Sequence, residues 1–408
     1  MAARSDRLTD TDSSALPRVF LLPGQDKRVG FGHPWAYSNE IRMDAAAKAI
    51  PPGACAHLVR VDGKPLAVGT FNPKTLIAFR VFARAAGASL DRAFVAERLK
   101  TALALRQRLF AKPFYRLIHA EADGLPGLVV DRFGDICVVQ AGTAGIENLM
   151  GEILAALAEV LAPRAVVLAN ESPLRALEGL ETYTRLASGE LSGPVEVEEN
   201  SLVFYADPLA GQKTGWFFDQ RDNRAFVAHL AKGADAILDL FAYTGGFAIH
   251  AAAAGAKRVL AVDSSAPALA LAQKAAERNG VAGACEFRKQ DAFAALEDLA
   301  AGNERFDVVI ADPPPFARSK KDVPAALKGY RKLARMAAAL VRPGGFLFIA
   351  SCSHNVAAEA FGLEVAGGIS RAGRSGRILR AAGAGADHPV HPLLPETAYL
   401  KTLTVQLD

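Results

Sequence analysis

From about residue 235 the chain settles into strict alternation: AILDLF, a helix-forming stretch from Gly246, RVLAVD, a second to Asn279, CEFRKQD, a third, FDVVIAD, a fourth to Val341, then GFLFIAS. Apolar strands separated by helical segments of ten or more residues pair side by side only when each helix crosses over the sheet. The pattern therefore predicts a parallel, doubly wound α/β fold. In such sheets the ligand lies outside the carboxyl ends of the strands. Five successive strand ends carry a candidate functional side chain there: Asp239, Asp263, Asp291, Asp312 and Cys352. One acid at a strand end is ordinarily a turn or helix-cap residue. Five in register point to one shared site.

The first loop reads Asp239-Leu-Phe-Ala-Tyr-Thr244-Gly245-Gly246. Its adjacent glycines let backbone approach a ligand, but GxGxxG is absent, so the loop suits a ligand without a pyrophosphate. Asp239 would complement a cationic ammonium, which favours S-adenosylmethionine over NAD. Asp263 stands where an acid accepts hydrogen bonds from ribose hydroxyls. Asp291-Ala-Phe293 is placed to take the adenine amino group and pack its ring.

Asp312-Pro313-Pro314-Pro315-Phe316 follows a wholly apolar strand. Three prolines fix φ and donate no N–H, giving a rigid loop suited to holding a substrate, with Phe316 able to stack on a flat base. Cys352 lies in Ser351-Cys-Ser-His354. A lone cysteine after an apolar strand is ordinarily core packing; beside Asp312 it becomes a candidate nucleophile. Methylating C5 of cytosine or uracil requires transient thiolate addition at C6, which makes C5 enamine-like, and the free thiol pKa of ~8.5 must then be lowered locally. Cys55, Cys137 and Cys285 read as packing.

Residues 317–335 hold seven basic side chains (Arg318, Lys320, Lys321, Lys328, Arg331, Lys332 and Arg335) against the single acid Asp322. A charge run is often a solvated helix face. Its place directly after the presumed substrate loop favours phosphate contact, with Arg318, Lys320 and Lys321 nearest.

The formal charge of +4 looks uninformative until it is divided: residues 1–85 carry +5, residues 86–206 carry −5 and residues 207–408 carry +4. The first part alternates turn signals with short β-rich runs and predicts a small barrel. The second opens on an amphipathic helix across residues 89–112, with Phe94, Val95, Leu99, Ala102 and Leu109 on its apolar stripe and Arg106 off it, followed by strands and a second helix. Three domains are expected, at residues 17–85, 86–206 and 207–408. The four cysteines form no CxxC pair, which argues against a metal cluster or disulfide framework and for reduced thiols in the cytoplasm. No apolar run approaches a membrane span, no signal-peptide core is present, and residues 1–16 read as a polar tail.

Taken together, these residues resemble the bacterial 23S rRNA cytosine-5 methyltransferases of the class I S-adenosylmethionine-dependent superfamily, the group with an N-terminal PUA domain. The resemblance spans residues 18–407 and includes HPWAYSNEI, AEADGLPGLVVDRFGD, QKTGWFFDQRDNR, LDLFAYTGGFA, VDSSAPAL, DPPPF, GYRKL, SCS and DHPVHPLLPETAYLK. It implies an RNA-binding PUA domain, a central α/β linker domain and a Rossmann-like methyltransferase domain whose last strand is antiparallel. It implies that Cys352 is the nucleophile and that Asp312 orients the base. Asp239, Thr244, Gly245, Gly246, Asp263 and Asp291 would hold S-adenosylmethionine. Residues 213–224 would close over its methionine end, with Thr214, Asp219, Gln220 and Arg221 as candidates, and Pro313, Pro314 and Phe316 would face RNA. The partner implied is 23S rRNA or its large-subunit precursor, and a homodimer is one possible assembly. Two departures stand out: Pro315 occupies a position where the family commonly has lysine or another residue, and the Asp312 loop lacks the second cysteine of the other RNA cytosine-5 methyltransferases.

Two competing readings use the same residues. DPPPF is also similar to the loop of enzymes that methylate an exocyclic amine, guanine N2 or adenine N6, with no thiol required. The chain could instead be a catalytically silent RNA-binding or ribosome-assembly protein, against which the intact cofactor constellation argues.

Overall fold

The computed structural model describes residues 16–85 and 87–408; the tail expected at residues 1–16 lies outside them apart from Leu16, which packs against the core of the second sheet.

The first sheet has the spatial order Arg18–Phe20, Ala54–Val59, Pro65–Phe71, Ile77–Ala83, Trp35–Tyr37. The first pair is parallel and the rest antiparallel. Leu22 N–H donates to the Glu40 carbonyl and Arg42 N–H to that of Phe20, both at 2.8 Å, which joins the two edges and closes the expected small barrel. Val19, Leu58, Phe71 and Phe79 fill it.

The second sheet runs Tyr183–Gly189, Ala165–Asn170, Ile136–Ala141, Leu128–Phe133, Phe114–His119, antiparallel except where the helix Met150–Leu161 carries the chain between the parallel strands Ile136–Ala141 and Ala165–Asn170. The helix Arg92–Leu109 packs on it through Val95, Leu99 and Ala102, capped by the Asp91 carboxylate on Phe94 N–H at 3.0 Å. Arg106 departs from expectation. It is fully buried, because its guanidinium grips Asp123 at 2.6 and 2.8 Å and reaches the Asp387 carbonyl at 3.0 Å. Leu109, assigned to the apolar stripe, is 46% exposed at the last position of that helix.

The third sheet has seven strands: Cys285–Lys289, Arg258–Asp263, Ala236–Leu240, Phe306–Ala311, Val341–Ser351, Lys401–Leu407, Gly376–Ala382. The first five are parallel, and Lys401–Leu407 lies antiparallel to both its neighbours. The chain starts in the middle, winds outward to Cys285–Lys289, then returns past its start to Phe306–Ala311. The order therefore reverses between Ala236–Leu240 and Phe306–Ala311, and a crevice opens at that switch point. The basic segment divides. In the helix Val323–Leu340, Tyr330, Leu333, Ala334 and Ala337 are buried, while Arg331 pairs with Glu364 and Lys332 approaches Glu297 on the outer face. Arg318, Lys320 and Lys321 stay exposed in the loop before it.

Polar bonds tie the sheets together. Trp35 Nε1 donates to Glu121 at 2.8 Å, and Arg80 reaches Glu121 at 3.1 Å and Glu178 at 3.4 Å. Arg116 holds Asp131 through two 2.8 Å bonds, and Asp131 also accepts from the Thr214 hydroxyl at 2.6 Å. Through Asp131, the AEADGLPGLVVDRFGD stretch thus anchors Thr214 and the segment that follows it.

Candidate active site

A cavity of about 220 Å³ occupies the switch point. Thr244, Gly246 and Asp263 border one side, Asp312, Pro313, Pro314 and Cys352 the other, and Lys213, Asp219 and Gln220 the rim between. Gly245 begins the helix Gly246–Ala253 at φ 78°, and a Cβ there would sit 2.9 Å from that of Ala272, so only glycine fits. Phe241 and Tyr243 also adopt positive φ, 60° and 49°. The loop is held in that strained shape by Ala242 N–H on the Val262 carbonyl at 3.1 Å and Tyr243 N–H on the Asp263 carboxylate at 2.9 Å.

This half of the cavity fits S-adenosylmethionine. Asp263 is fixed by two backbone N–H groups, from Tyr243 and from Ser265 at 2.8 Å, and still faces the cavity. The Thr244 hydroxyl is buried without a hydrogen-bond partner. So is one oxygen of Asp239, whose other oxygen accepts from Ala248 N–H at 2.9 Å, although Asp239, like Gly245, does not itself border the cavity. Burial, reinforced by Asp312 and Asp263, raises the Asp239 carboxyl well above the usual carboxylate range. Buried acceptors without donors are expensive and mark places where a ligand supplies the missing group.

Asp291 lies apart from the cavity. Its carboxylate caps the helix Ala292–Ala301, accepting from Phe293 N–H at 2.9 Å and Ala294 N–H at 3.0 Å; the residue is exposed and does not border the cavity.

On the opposite side, Asp312 accepts from Gln220 Nε2 at 3.0 Å, and Gln220 is held in turn by Asn223 at 2.7 Å. Gln220, expected on the cofactor, thus steadies the Asp312 carboxyl. Burial first, and the neighbouring Asp219 charge second, push Asp312 up to about 7. Cys352 Sγ lies 3.7 Å from the Pro313 carbonyl, as a thiol donor would. Burial and then Asp312 push that thiol up to about 12, with Lys213 pulling the other way. The loop after Cys352 is pinned by Lys401 Nζ, which donates to the carbonyls of Ser353 at 2.7 Å and Val356 at 2.9 Å. Ser351, Tyr330 and Ser353 form a buried hydroxyl chain beneath it at 2.9 and 3.0 Å.

Three further candidates, Arg221, Phe316 and Thr214, do not border the cavity. Arg221 turns away from the cavity to the Phe114 carbonyl, its guanidinium 4.4 Å from the Phe110 ring centre. Phe316 is not on the cavity: its ring packs 4.7 Å from Tyr330 and against Gly329, anchoring the proline loop to the following helix. Thr214 is spent on Asp131. Lys213 and Tyr399 were not singled out by sequence reasoning. Lys213 sits at positive φ, 53°, on the rim, and Tyr399 donates to Asp219 at 2.6 Å. The signal for Tyr399 was the closing DHPVHPLLPETAYLK segment, which carried no role of its own.

Among the described residues no cluster has a metal-binding arrangement, and no helix is long and apolar enough to cross a membrane.

Comparison with known proteins agrees with this geometry. Residues 178–373 match the family of S-adenosylmethionine-dependent methyltransferases and residues 19–84 a PUA-like domain. The chain is 35% identical over 394 residues to ribosomal RNA large subunit methyltransferase I of Alteromonas mediterranea, covering 96% of this chain and 98% of that protein. The protein of the same name from Tolumonas auensis is 36% identical over 395 residues, at 95% and 98% coverage. A proposed S-adenosylmethionine-dependent methyltransferase from Streptococcus mutans superposes with a TM-score of 0.80 at 19% identity, covering 96% of this chain and 100% of that one. Another solved structure, a proposed methyltransferase complexed with SAH, gives 0.81 at 19% identity and the same coverage. At that identity the two structures speak for the fold alone.

Proposed function

The chain belongs to the ribosomal RNA large subunit methyltransferase I family, and from that premise we propose that it methylates C5 of a cytosine in 23S rRNA through a transient bond between Cys352 and C6. It is an S-adenosylmethionine-dependent methyltransferase with a PUA-like domain; the base, the atom and the nucleophile are our reading.

The observation that carries the reading is that Cys352 and Asp312, at the ends of adjoining strands, border the same cavity as the glycine loop. S-adenosylmethionine supplies an electrophilic methyl group; Thr244, Asp263 and the Gly245-Gly246 backbone hold it. Asp312 keeps its proton up to about pH 7. A neutral carboxyl donates to cytosine N3, an acceptor, and drains electron density from C6; uracil N3, which bears a hydrogen, would demand the ionised form. The resting thiol is neutral, so attack on C6 requires its proton to leave as the base docks, with the Lys213 charge favouring the thiolate. Rigid prolines fix the base edge against Asp312. Arg318, Lys320 and Lys321 flank that loop and meet phosphates.

Exocyclic-amine methylation needs no thiol, and it would leave without a role the Cys352 thiol that stands 3.7 Å from the Pro313 carbonyl. The two chemistries separate on Cys352→Ala, assayed on large-subunit RNA lacking the modification, with digestion to nucleosides and mass analysis. C5 chemistry predicts 5-methylcytidine from the wild type and a loss of about a thousandfold or more in the variant. Undiminished methylation by Cys352→Ala, or a product methylated on an exocyclic nitrogen, would refute it.

A further inference from the structure

C5 methylation leaves a saturated carbon bearing both the new methyl group and the original hydrogen. That hydrogen must depart as a proton before Cys352 can be released, and the Asp312 loop offers no second cysteine to assist. The cavity itself narrows the choice. Its ionisable side chains are Lys213, Asp219, Arg224, Tyr243, Asp263, Asp312 and Cys352. Lys213 and Arg224 are cations, and Arg224 is locked to Glu199 at 2.6 and 2.9 Å. The Tyr243 hydroxyl accepts from Gln212 N–H at 3.1 Å, and Asp263 is committed to two backbone N–H groups beside the glycine loop. Asp312 accepts from Gln220 and is given to the N3 edge of the base. His354 stacks on Tyr399 at 5.0 Å and does not border the cavity.

Asp219 remains, and its surroundings are built. One oxygen takes the Tyr399 hydroxyl at 2.6 Å; the other is buried with no hydrogen-bond partner. Its backbone carbonyl accepts from Gly385 N–H at 3.0 Å, which pins the turn from the far side. Burial alone would raise this carboxyl, but His388, Lys213, the Tyr399 hydroxyl and Arg116 together hold it below its ordinary range, so it is an anion at neutral pH. The sheet order tells which ligand it faces. Tyr399 leads into Lys401–Leu407, whose Lys401 is paired with Ser351, next to Cys352 and on the side away from Ala236–Leu240 and its glycine loop. In keeping with this, the Asp219 charge acts on both Asp312 and Cys352.

We propose that Asp219 is the catalytic base that removes the C5 proton from the methylated cytosine adduct, with Tyr399 as its positioning residue. The inference rests on the C5 reading above. The C5–H bond breaks and its proton goes to the unpartnered Asp219 oxygen. The electron pair left behind forms the C5=C6 double bond, and the C6–S bond breaks with its pair returning to sulfur as the Cys352 thiolate. Asp219 then passes the proton to water, and S-adenosylhomocysteine and 5-methylcytosine are the products.

The test uses the full chain, S-adenosylmethionine labelled in the methyl group, and large-subunit RNA. Asp219→Asn, nearly isosteric, should transfer one methyl group per enzyme at a rate within about tenfold of wild type, while turnover falls by about 10²–10⁴ as expected for loss of a general base. RNA should accumulate covalently on the protein as a retarded band in a denaturing gel, and the band should vanish in Asp219→Asn/Cys352→Ala. Asp219→Glu should restore part of the turnover. Tyr399→Phe, which leaves the carboxylate in place, should slow release and show a weaker band, so the proposal stays open to refutation if Asp219→Asn does not fold. Wild-type turnover by Asp219→Asn, or loss of the first methyl transfer with no adduct, would overturn it. RNA carrying 5-fluorocytosine, whose fluorine cannot leave as a cation, separates this from the underlying reading. If wild-type enzyme forms no adduct with it, C5 chemistry falls; if it does and Asp219→Asn releases methylated product normally from unsubstituted RNA, only the assignment of Asp219 falls.

Discussion

Replacing Asp312 by asparagine should stabilise the protein, and increasingly so as pH rises. The unfolded carboxyl titrates at 3.8 and the folded one at about 7, because burial and the Asp219 charge disfavour its ionised form. The folded state thus holds a proton that the unfolded state has lost, and whatever stability the group contributes is complete below pH 3.8 and lost as pH rises through 7. At about 1.4 kcal/mol per tenfold change in proton affinity, the carboxyl costs about 1.7 kcal/mol at pH 5 and about 4 kcal/mol at pH 8.5. Asparagine keeps the bond from Gln220 Nε2 and does not titrate. The stability gap between variant and wild type should therefore widen by about 2.5 kcal/mol from pH 5 to pH 8.5, or roughly 5–10 °C for a unit of about 200 residues. Scanning calorimetry reads this in the transition that shifts upward with S-adenosylmethionine. The same variant removes the second-largest influence raising the Cys352 thiol, so alkylation of Cys352 at pH 8.5 should accelerate while methyl transfer is lost. A gap that stays constant across the range, or a wild type more stable than the variant at pH 8.5, would refute the account of a carboxyl strained by its surroundings.

Two more outcomes follow, one from the cavity wall and one from the exposed loop beyond it. Thr244→Val preserves shape and removes a buried hydroxyl that has no partner, so the ligand-free protein should melt no lower than wild type. Calorimetric titration should show S-adenosylmethionine binding about tenfold more weakly, the worth of roughly one hydrogen bond; unchanged affinity would mean that Thr244 does not face the cofactor. Replacing Arg318, Lys320 and Lys321 together by alanine should weaken RNA binding and flatten the slope of log K against log salt by about 2, at roughly 0.7 per phosphate contact for single strands. Fluorescence anisotropy over a potassium chloride series measures it, and an unaltered slope would return these side chains to the role of a solvated loop.

The parallel, doubly wound core of the third sheet was readable because its central strands are apolar throughout: every residue of Ala236–Leu240 is buried, and such runs alternating with helical stretches pair in parallel. Gly376–Ala382 was not readable for the converse reason. As an edge strand it exposes Ile378 by 61% and Leu379 by 44%, so neither alternation nor an apolar run marks it. At the strand ends the rule that found Asp263 and Asp312 also chose Asp291, since a carboxylate capping two N–H groups and one facing a ligand share the same local sequence. Only the distance to the crevice distinguishes them, and Cys285–Lys289 lies at the far edge of the sheet. Phe316 was misplaced because its true neighbours, Gly329 and Tyr330, sit about two helical turns into the next element.

What sequence could least reveal is the crowding of acids that makes the site unusual. The Asp219–Tyr399 bond joins residues 180 apart, and Arg116 N–H reaches the Asp387 carboxylate across 271. Those long links bring Asp219, Asp312 and Cys352 within each other's fields, where every charge raises the cost of the next. A structural role would not select such an arrangement, since asparagine at 312 would keep the bond from Gln220 and relieve the repulsion. The crowding is intelligible if the three groups act in turn: Asp312 protonated while cytosine N3 is engaged, Cys352 ionised only when a base has docked, and Asp219 ionised throughout to await a proton. On that view the instability predicted for Asp312 and the adduct predicted for Asp219→Asn have one source, and a protein that showed the first without the second would hold its acids together for some other chemistry.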